Sequence, residues 1–113
     1  MKFADARHFA LSLPEVAEAP HHHMGSFRVR GKIFVTVPPE QTHLHLFVSG
    51  QQRDMSLALY PQTTEKLLWG GKVVGIRLAL APAKAAAVKA MVQQAWMTKA
   101  PKALAAAWQA SPE

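Results

Sequence analysis

Histidine pairs two residues apart are the first feature of this sequence that could carry chemistry. His21 and His23 form one pair, and His43 and His45 form another. Side chains at this spacing point the same way on an extended chain, so a pair of imidazoles is able to chelate a divalent metal. Zinc needs three or four ligands, usually with supporting carboxylates, and the acids flanking both stretches form no recognisable zinc motif. We expect no functional metal site, and we interpret His21–His23 as a solvated loop.

Basic side chains that alternate with apolar ones form the second feature. Cations neutralise phosphates and exposed rings stack on bases, each stack contributing about 1–3 kcal/mol, so single-stranded nucleic acid suits such a surface. The alternative is that Phe34 and Phe47, the two rings of this pattern, lie under a loop or at a dimer contact while the cations are solvated. The residues predicted to bind nucleic acid are Arg28, Arg30, Lys32, Phe34, Phe47, Lys72, Arg77 and, more peripherally, Lys102.

The net charge of +6 is unevenly distributed along the chain. Residues 1–24 carry two basic and three acidic side chains, which sum to −1, whereas residues 25–113 carry eleven basic and four acidic ones, which sum to +7. A basic excess of this size favours polyanions through counterion release. Simple solubility is the competing explanation of the same excess.

Several classes of protein are excluded or disfavoured by what the sequence lacks. There are no cysteines, which excludes disulfides, thiolate zinc sites and cysteine nucleophiles. There is no phosphate-binding glycine loop, GxSxG, HExxH or useful pair of carboxylates, so we expect no enzyme and no cofactor. The N-terminus lacks the apolar core of a signal peptide, and no run reaches the roughly 20 apolar residues of a membrane span. We expect a cytoplasmic protein.

The elements that would position these residues follow from hydrophobic periodicity. Period-2 alternation predicts strands, and apolar residues three or four apart predict helices. Pro14 ends the first helix, and EVAEAP is interpreted as a polar loop. The pattern does not decide whether residues 67–69 form a strand or a loop. The predicted elements are helix 3–13, strands 26–30, 32–37 and 42–48, helix 51–61, strand 72–80, and helices opening at Pro82 and Pro101.

This order predicts an α+β two-layer sandwich, an antiparallel sheet with helices on one face and an open opposite face. Alternation then assigns each strand residue to a face. The predicted buried set is Phe27, Val29, Ile33, Val35, Val37, Leu44, Leu46, Val48, Val74, Ile76, Leu78 and Leu80. The predicted open set contains no acid and comprises Arg28, Arg30, Lys32, Phe34, Thr36, His43, His45, Phe47 and Arg77. The helix after residue 50 is expected to bury Met55, Ala58 and Leu59 and, less clearly, Leu57.

Four segments in a fixed order resemble the MmcQ/YjbR family of small bacterial proteins. They are LSLPEVAEAPH at 11–21, FRVRGKIF at 27–34, WGGKVVGIRL at 69–78 and AWMTKAPKAL at 95–104. The resemblance covers nearly the whole chain, read as a single domain over 1–113, and implies an α-β(3)-α-β(2)-α order similar to secretion chaperones. It also implies that His21 is native, although the full His-His-His-Met run departs from the family's usual aromatic and glycine.

Relatives in that family are usually described as DNA-binding, because two β-hairpin wings resemble a double-wing motif. This description rests on fold analogy, and no catalytic residues carry over. The leading hypothesis is therefore a non-enzymatic module that binds nucleic acid through basic hairpins, with DNA as the partner that the resemblance implies and the choice between DNA and RNA left open by the residues themselves. The alternative is a protein-interaction module that forms a homodimer through its open face or an edge strand. A small-ligand or metal-binding role, suggested by the histidines, comes third.

Overall fold

The computed structural model describes residues 1–110 and confirms the predicted α+β two-layer sandwich. A six-stranded antiparallel sheet is packed against helices on one face and open on the other. In chain order the elements are α1 (Phe3–Ser12), β1 (Val16–His21), β2 (Met24–Val29), β3 (Lys32–Val37), β4 (His43–Leu46), α2 (Gly50–Leu59), β5 (Thr64–Trp69), β6 (Lys72–Ala79), α3 (Ala85–Lys99) and α4 (Lys102–Ala110).

The strands lie in the order β1-β2-β3-β4-β6-β5, so β1 and β5 are the two edges. Every pairing is antiparallel. Most of the apolar residues predicted to be buried do form the core, together with residues of α1 and α3. Among the described residues, no helix is both long and apolar enough to cross a bilayer.

Helix α3 supplies the helical half of the core. The five apolar residues that lie three or four apart on its inner face, Val88, Met91, Val92, Ala95 and Trp96, are all buried. The indole N–H of Trp96 donates to the carbonyl of Pro14 at 3.1 Å, which satisfies the one polar atom of the largest core side chain. Its ring also lies 5.3 Å from that of Trp108, which attaches α4 to the same helix. One tryptophan thus ties together the end of α1, α3 and α4.

The segment predicted to be a polar loop is in fact the edge strand β1. It pairs with β2 from Val16 opposite Val29 to His21 opposite Met24. Its side chains are exposed or half-buried, as suits an edge, and Pro20 is tolerated there because an edge strand has unpaired donors on its outer side. The polar, alanine-rich composition concealed the strand. The observed order therefore has four strands before α2 instead of three, and residues 67–69 belong to β5.

Helix α2 buries less than predicted. Ser49 begins it by accepting a hydrogen bond from the Gln52 backbone N–H at 3.2 Å, as an N-cap does. Met55, Ala58 and Leu59 are exposed, Leu57 is half-buried, and Ser56 is the buried residue. Among the strands, α2 contacts chiefly β5 and β6 at the end of the sheet, so little of its surface is covered. The predicted burial of Met55, Ala58 and Leu59 is wrong.

A β-bulge in β3 reverses the predicted faces at the start of that strand. Phe27 lies opposite Val35 but Arg28 lies opposite Ile33, so Phe34 is an extra residue with no direct partner. Phe34 is completely buried, and Ile33 is only half-buried and shares the face of Arg28. Placing Phe34 and Lys32 on the open face and Ile33 in the core is wrong, because one inserted residue shifts strict alternation by one position. Lys32 lies opposite the core residue Val29, so it belongs to the other face, exposed at the end of the strand.

A second bulge lies between β5 and β6. Leu67 pairs with Gly75 and Leu68 with Val73, which leaves Val74 as the additional residue. Val74 is half-buried and lines a cavity on the open face, so its predicted place in the core is also wrong. Val48, beyond the end of β4, packs only partly against the core.

Candidate functional site

A row of polar side chains crosses the open face from strand to strand. Ser26, Thr36, His45, Arg77 and Glu65 are consecutive cross-strand partners on β2, β3, β4, β6 and β5. Directly opposed residues share a face and are close enough to interact. We call these five residues the polar row. Its last member corrects the prediction of an acid-free face, because the Glu65 carboxylate lies 3.8 Å from the Arg77 guanidinium.

Arg28 lies beside the polar row and is engaged in internal contacts. Its Nε donates to the hydroxyl of Ser26 at 3.1 Å, and its Nη2 donates to the carbonyl of Pro20 at 3.1 Å. The Ser26 hydroxyl in turn donates to the carbonyl of Ala19 at 2.7 Å. The guanidinium therefore bridges β1 and β2, and only part of its donor set remains for an external phosphate.

Arg30 sits in the β2–β3 turn and is paired with Glu15. Its Nε and Nη2 donate to the two carboxylate oxygens at 2.6 and 3.0 Å, which is the bidentate geometry that suits a guanidinium. The hydrogen bonds from Arg30 lower the pKa of the Glu15 carboxyl. Both side chains remain about half exposed. The positive charge of Arg30 is therefore largely offset by its own neighbour.

Lys32 and Lys72 are exposed at the first positions of β3 and β6, immediately after hairpin turns. Neither forms an ion pair within residues 1–110. Lys72 lies directly opposite Trp69 across the β5–β6 hairpin, and the indole of Trp69 is 71% exposed. Gly70 and Gly71 make the turn, with φ of 57° and 80°. The cation of Lys72 and the indole ring of Trp69 are thus neighbours at the exposed end of the β5–β6 hairpin.

Trp69 is the site residue that the sequence reading missed. The signal was present in LLWGGK, where an aromatic residue directly precedes a glycine pair and a lysine opens the next strand. A glycine pair between two apolar runs is a hairpin turn signal, and residues flanking such a turn are cross-strand partners. The neighbouring Leu68 is also exposed, at 61%.

The remaining predicted residues occupy three different environments. Phe47 is half-buried and lines the open-face cavity, and its backbone N–H donates to the carbonyl of Phe34 at 3.1 Å. Phe34 lies in the core and cannot stack on a base. Lys102 is exposed at the start of α4, in the helical layer and outside the open face. Of the predicted residues, Arg28 and Arg77 therefore lie on the open face, Phe47 lines its cavity, and Arg30, Lys32 and Lys72 lie at the ends of two hairpins, whereas Phe34 and Lys102 lie elsewhere.

A cavity of about 480 Å³ lies on the open face between the β1–β2 hairpin and the β5–β6 hairpin. Its polar wall contains the β1–β2 turn, His21–His23, together with Thr36 and His45 of the polar row. Its apolar wall is supplied by β4, β5, β6 and the start of β2, through Met24, Phe47, Leu67, Leu68, Trp69 and Val74. We call it the open-face cavity.

The imidazole of His45 is the perturbed titratable group of this cavity. Burial lowers its pKa first, and the nearby Arg77 and His43 lower it further. A lowered pKa favours the neutral ring. The predicted two-apart histidine pairs do not assemble into a larger cluster: within residues 1–110, no three His, Asp or Glu side chains converge as metal ligands would. His21 and His22 instead contact each other edge to face, with ring centroids 4.5 Å apart.

Comparison with known families agrees with the segments singled out in the sequence. A family model described as YjbR matches residues 11–98. The chain belongs to the YjbR family. The matched segment runs from the end of α1 into the last turn of α3. It therefore includes all six strands described above, with the β2–β3 and β5–β6 hairpins. No curated protein and no solved structure matches the chain.

Proposed function

We propose that this protein is a non-enzymatic, cytoplasmic nucleic-acid-binding module that holds a single strand, DNA in the first instance, against its exposed hairpin turns. The observation that carries the proposal is the pair formed by Trp69 and Lys72. An indole that is 71% exposed lies directly opposite a lysine with no ion-pair partner within residues 1–110. Large exposed aromatic side chains mark interaction sites, and here the adjacent charge selects a polyanion.

Each member of the hairpin site has a distinct chemical role. The Trp69 indole offers a flat surface on which a base stacks, which every base permits because each has a π-face. Lys72 neutralises the phosphate next to the stacked base, and Lys32 at the β2–β3 turn offers a second phosphate contact. Arg28 and Arg77 contribute long-range attraction, because their donors are partly engaged by internal partners.

The charge distribution supports the same proposal. Residues 25–113 carry a net charge of +7, and the acids Glu15 and Glu65 offset only two of the cations near the open face. In this proposal the β2–β3 and β5–β6 hairpins take the part of the two wings that the resemblance implied. Lys102 is a contact only for a strand long enough to leave the sheet, so it is a secondary position in this proposal.

Fluorescence anisotropy with labelled single- and double-stranded oligonucleotides tests the proposal directly. Trp69→Ala should weaken single-strand binding by roughly fivefold to a hundredfold, the equivalent of losing one stack of about 1–3 kcal/mol. Lys72→Ala should reduce the slope of log K against log salt by about 0.7, the value for one phosphate contact on a single strand. Lys84→Ala removes the same charge beside α3 and serves as the matched control.

Two results would overturn the proposal. The first is no micromolar binding by the folded wild type at low salt. The second is equal loss in Lys72→Ala and Lys84→Ala with no loss in Trp69→Ala, because that pattern reflects net charge alone.

A specific observation favours a second candidate, a homodimer built on the β5 edge. Leu68 is 61% exposed on this edge strand, and a leucine has no role in binding phosphate. An edge strand also presents unpaired backbone donors and acceptors to a second copy. Sedimentation velocity across protein concentration tests this candidate, and Leu68→Lys should return any dimer to a monomer. A wild type that stays monomeric at high concentration would remove the candidate.

A further inference from the structure

Two polar atoms in the wall of the open-face cavity have no hydrogen-bond partner. Thr36 and His45 are direct cross-strand partners in the middle of the sheet, and both line the cavity. Thr36 is only 3% exposed, and neither its Oγ1 nor Nε2 of His45 is bonded to any other group within residues 1–110. Buried polar atoms are nearly always satisfied. Two unsatisfied atoms side by side in one wall therefore indicate groups that a ligand completes.

The size and lining of the cavity fit a small molecule. Its volume of about 480 Å³ falls within the roughly 300–1,000 Å³ typical of small-ligand sites. Most of the remaining wall is apolar, with Phe47 and Trp69 contributing aromatic surface. An apolar cavity with a few convergent polar groups selects a ligand that has an apolar body and one polar head.

The charges around Thr36 and His45 determine which head group of a ligand is favoured. Arg77 is the next residue of the polar row after His45, and its partner Glu65 is loosely held at 3.8 Å. No acidic side chain lines the described wall of the cavity. The Thr36 hydroxyl can donate, and Nε2 of a neutral His45 donates in the tautomer that carries the proton there. With Arg77 nearby and no acid in the described wall, an anionic acceptor is better matched than an amine.

We propose that the open-face cavity binds a small apolar carboxylic acid. Its carboxylate oxygens accept hydrogen bonds from the hydroxyl of Thr36 and from Nε2–H of His45, with Arg77 supplying the nearby positive charge. Its alkyl or aryl body packs against Phe47 and Leu67. Lys32 and Lys72, the proposed phosphate contacts, do not line the cavity, whereas Trp69 belongs both to its wall and to the proposed nucleic-acid site.

Three matched probes test the head group. We would titrate 3-phenylpropionate, 3-phenylpropanol and 3-phenylpropylamine into the wild type, and follow the His45 ring resonances by NMR. The acid should bind saturably, and the alcohol and the amine should each bind at least about tenfold more weakly, since only the acid offers an anionic acceptor, with one oxygen for each donor, beside Arg77. Octanoate, with a flexible body, is the second acid. The proposal is overturned if neither acid saturates the protein, or if the alcohol binds as well as the acid.

Thr36→Val separates a ligand anchor from a structural hydroxyl. Removing an unsatisfied buried hydroxyl should leave the melting temperature unchanged or raise it, whereas acid binding should weaken by about tenfold. Thr64→Val is the matched control, because the Thr64 hydroxyl donates to the carbonyl of Tyr60 at 2.6 Å and its loss should lower the melting temperature. A melting temperature lowered as much by Thr36→Val as by Thr64→Val would overturn the proposal.

His45→Leu and His43→Leu form a second matched pair on the same strand and face, of which only His45 lines the cavity. The first should weaken binding of 3-phenylpropionate and the second should not. Equal effects would count against the proposal. Lys72→Ala should leave acid binding intact even where it reduces oligonucleotide binding. Because Lys72 does not line the cavity and Trp69 does, Lys72→Ala is the variant that distinguishes failure of one proposal from failure of the other.

Discussion

Arg30 and Glu15 join the β2–β3 turn to the residue just before β1 through two hydrogen bonds of 2.6 and 3.0 Å. Both residues have left-handed backbone conformations, with φ of 46° and 58°, which is uncommon for residues other than glycine. The ion pair thus links two tight turns. It also means that the central cation of the FRVRGKIF segment already has an anionic partner.

Glu15→Gln should increase nucleic-acid binding. Without the carboxylate, Arg30 becomes available to phosphate, so affinity for a single strand should rise and the salt slope should steepen by about 0.7. Anisotropy titrations across salt concentration measure both quantities. Glu18→Gln makes the same charge change but frees Arg7 of α1 instead. An equal gain in the two variants would mean that only net charge matters, and that Arg30 is not a contact.

Phe34→Ala should destabilise the fold far more than Phe47→Ala. Phe34 is completely buried through the bulge of β3, and truncating a buried phenylalanine typically costs about 3–5 kcal/mol. Phe47 is half-buried beside the open-face cavity and should cost clearly less. Urea unfolding gives the free energy of unfolding of each variant. Similar losses would contradict the assignment of the two rings to opposite faces.

Gly75→Ala should disrupt the pairing of β4 with β6. A Cβ at position 75 would overlap the carbonyl oxygen of Leu46, and a backbone atom cannot move aside as a flexible side chain can. We expect a loss of at least about 1–3 kcal/mol, the usual cost of overpacking. Gly25→Ala is the control, because its Cβ would meet only Val37 at an ordinary 3.7 Å. Thermal melts compare them, and equal melting temperatures would refute the close approach.

Stability should fall as the pH drops below about 6.5, the usual pKa of histidine. Burial, and then Arg77 and His43, lower the pKa of His45 in the folded protein. At pH values between the folded pKa of His45 and about 6.5, the unfolded chain binds more protons than the folded protein does. The stability that a neutral His45 contributes is therefore fully present above about pH 6.5, and it is lost as the pH falls through this range. The histidines of the β1–β2 turn and Glu65, the partner of Arg77, are the other titratable groups facing this part of the sheet.

Urea unfolding between pH 7.5 and 5 measures this dependence. His45→Gln should flatten part of the decline, while His8→Gln, at an exposed position of α1, controls for the loss of one imidazole. A decline of the same size in the wild type and in His45→Gln would show that other groups are responsible.

Hydrophobic periodicity predicted most of the fold because the core follows it closely. The stripe of α3, from Val88 to Trp96, is buried as its spacing requires. The strand residues Leu44, Leu46, Ile76 and Leu78 also lie on the predicted face. These elements carry regular apolar patterns, and the sheet pairs them over several residues without interruption.

The rest depended on interactions that no local pattern encodes. A bulge is a shift in register between two paired strands, so the segment KIFVTV alone does not predict that Phe34 is buried. The pairing of Arg30 with Glu15 joins residues fifteen positions apart, which alternation does not register. β1 was missed because an edge strand with one half-exposed face needs few apolar residues. The candidate site differed most from expectation where these long-range effects accumulate.

The division of the sheet into two faces has a consequence for how the protein can evolve. The helices and the core occupy one face, whereas the open-face cavity and the hairpin turns belong to the other. Substitutions in the cavity wall therefore leave the packing that determines stability largely untouched. Such a scaffold can diversify what it recognises by small mutational steps, each retaining a folded intermediate on which selection can act.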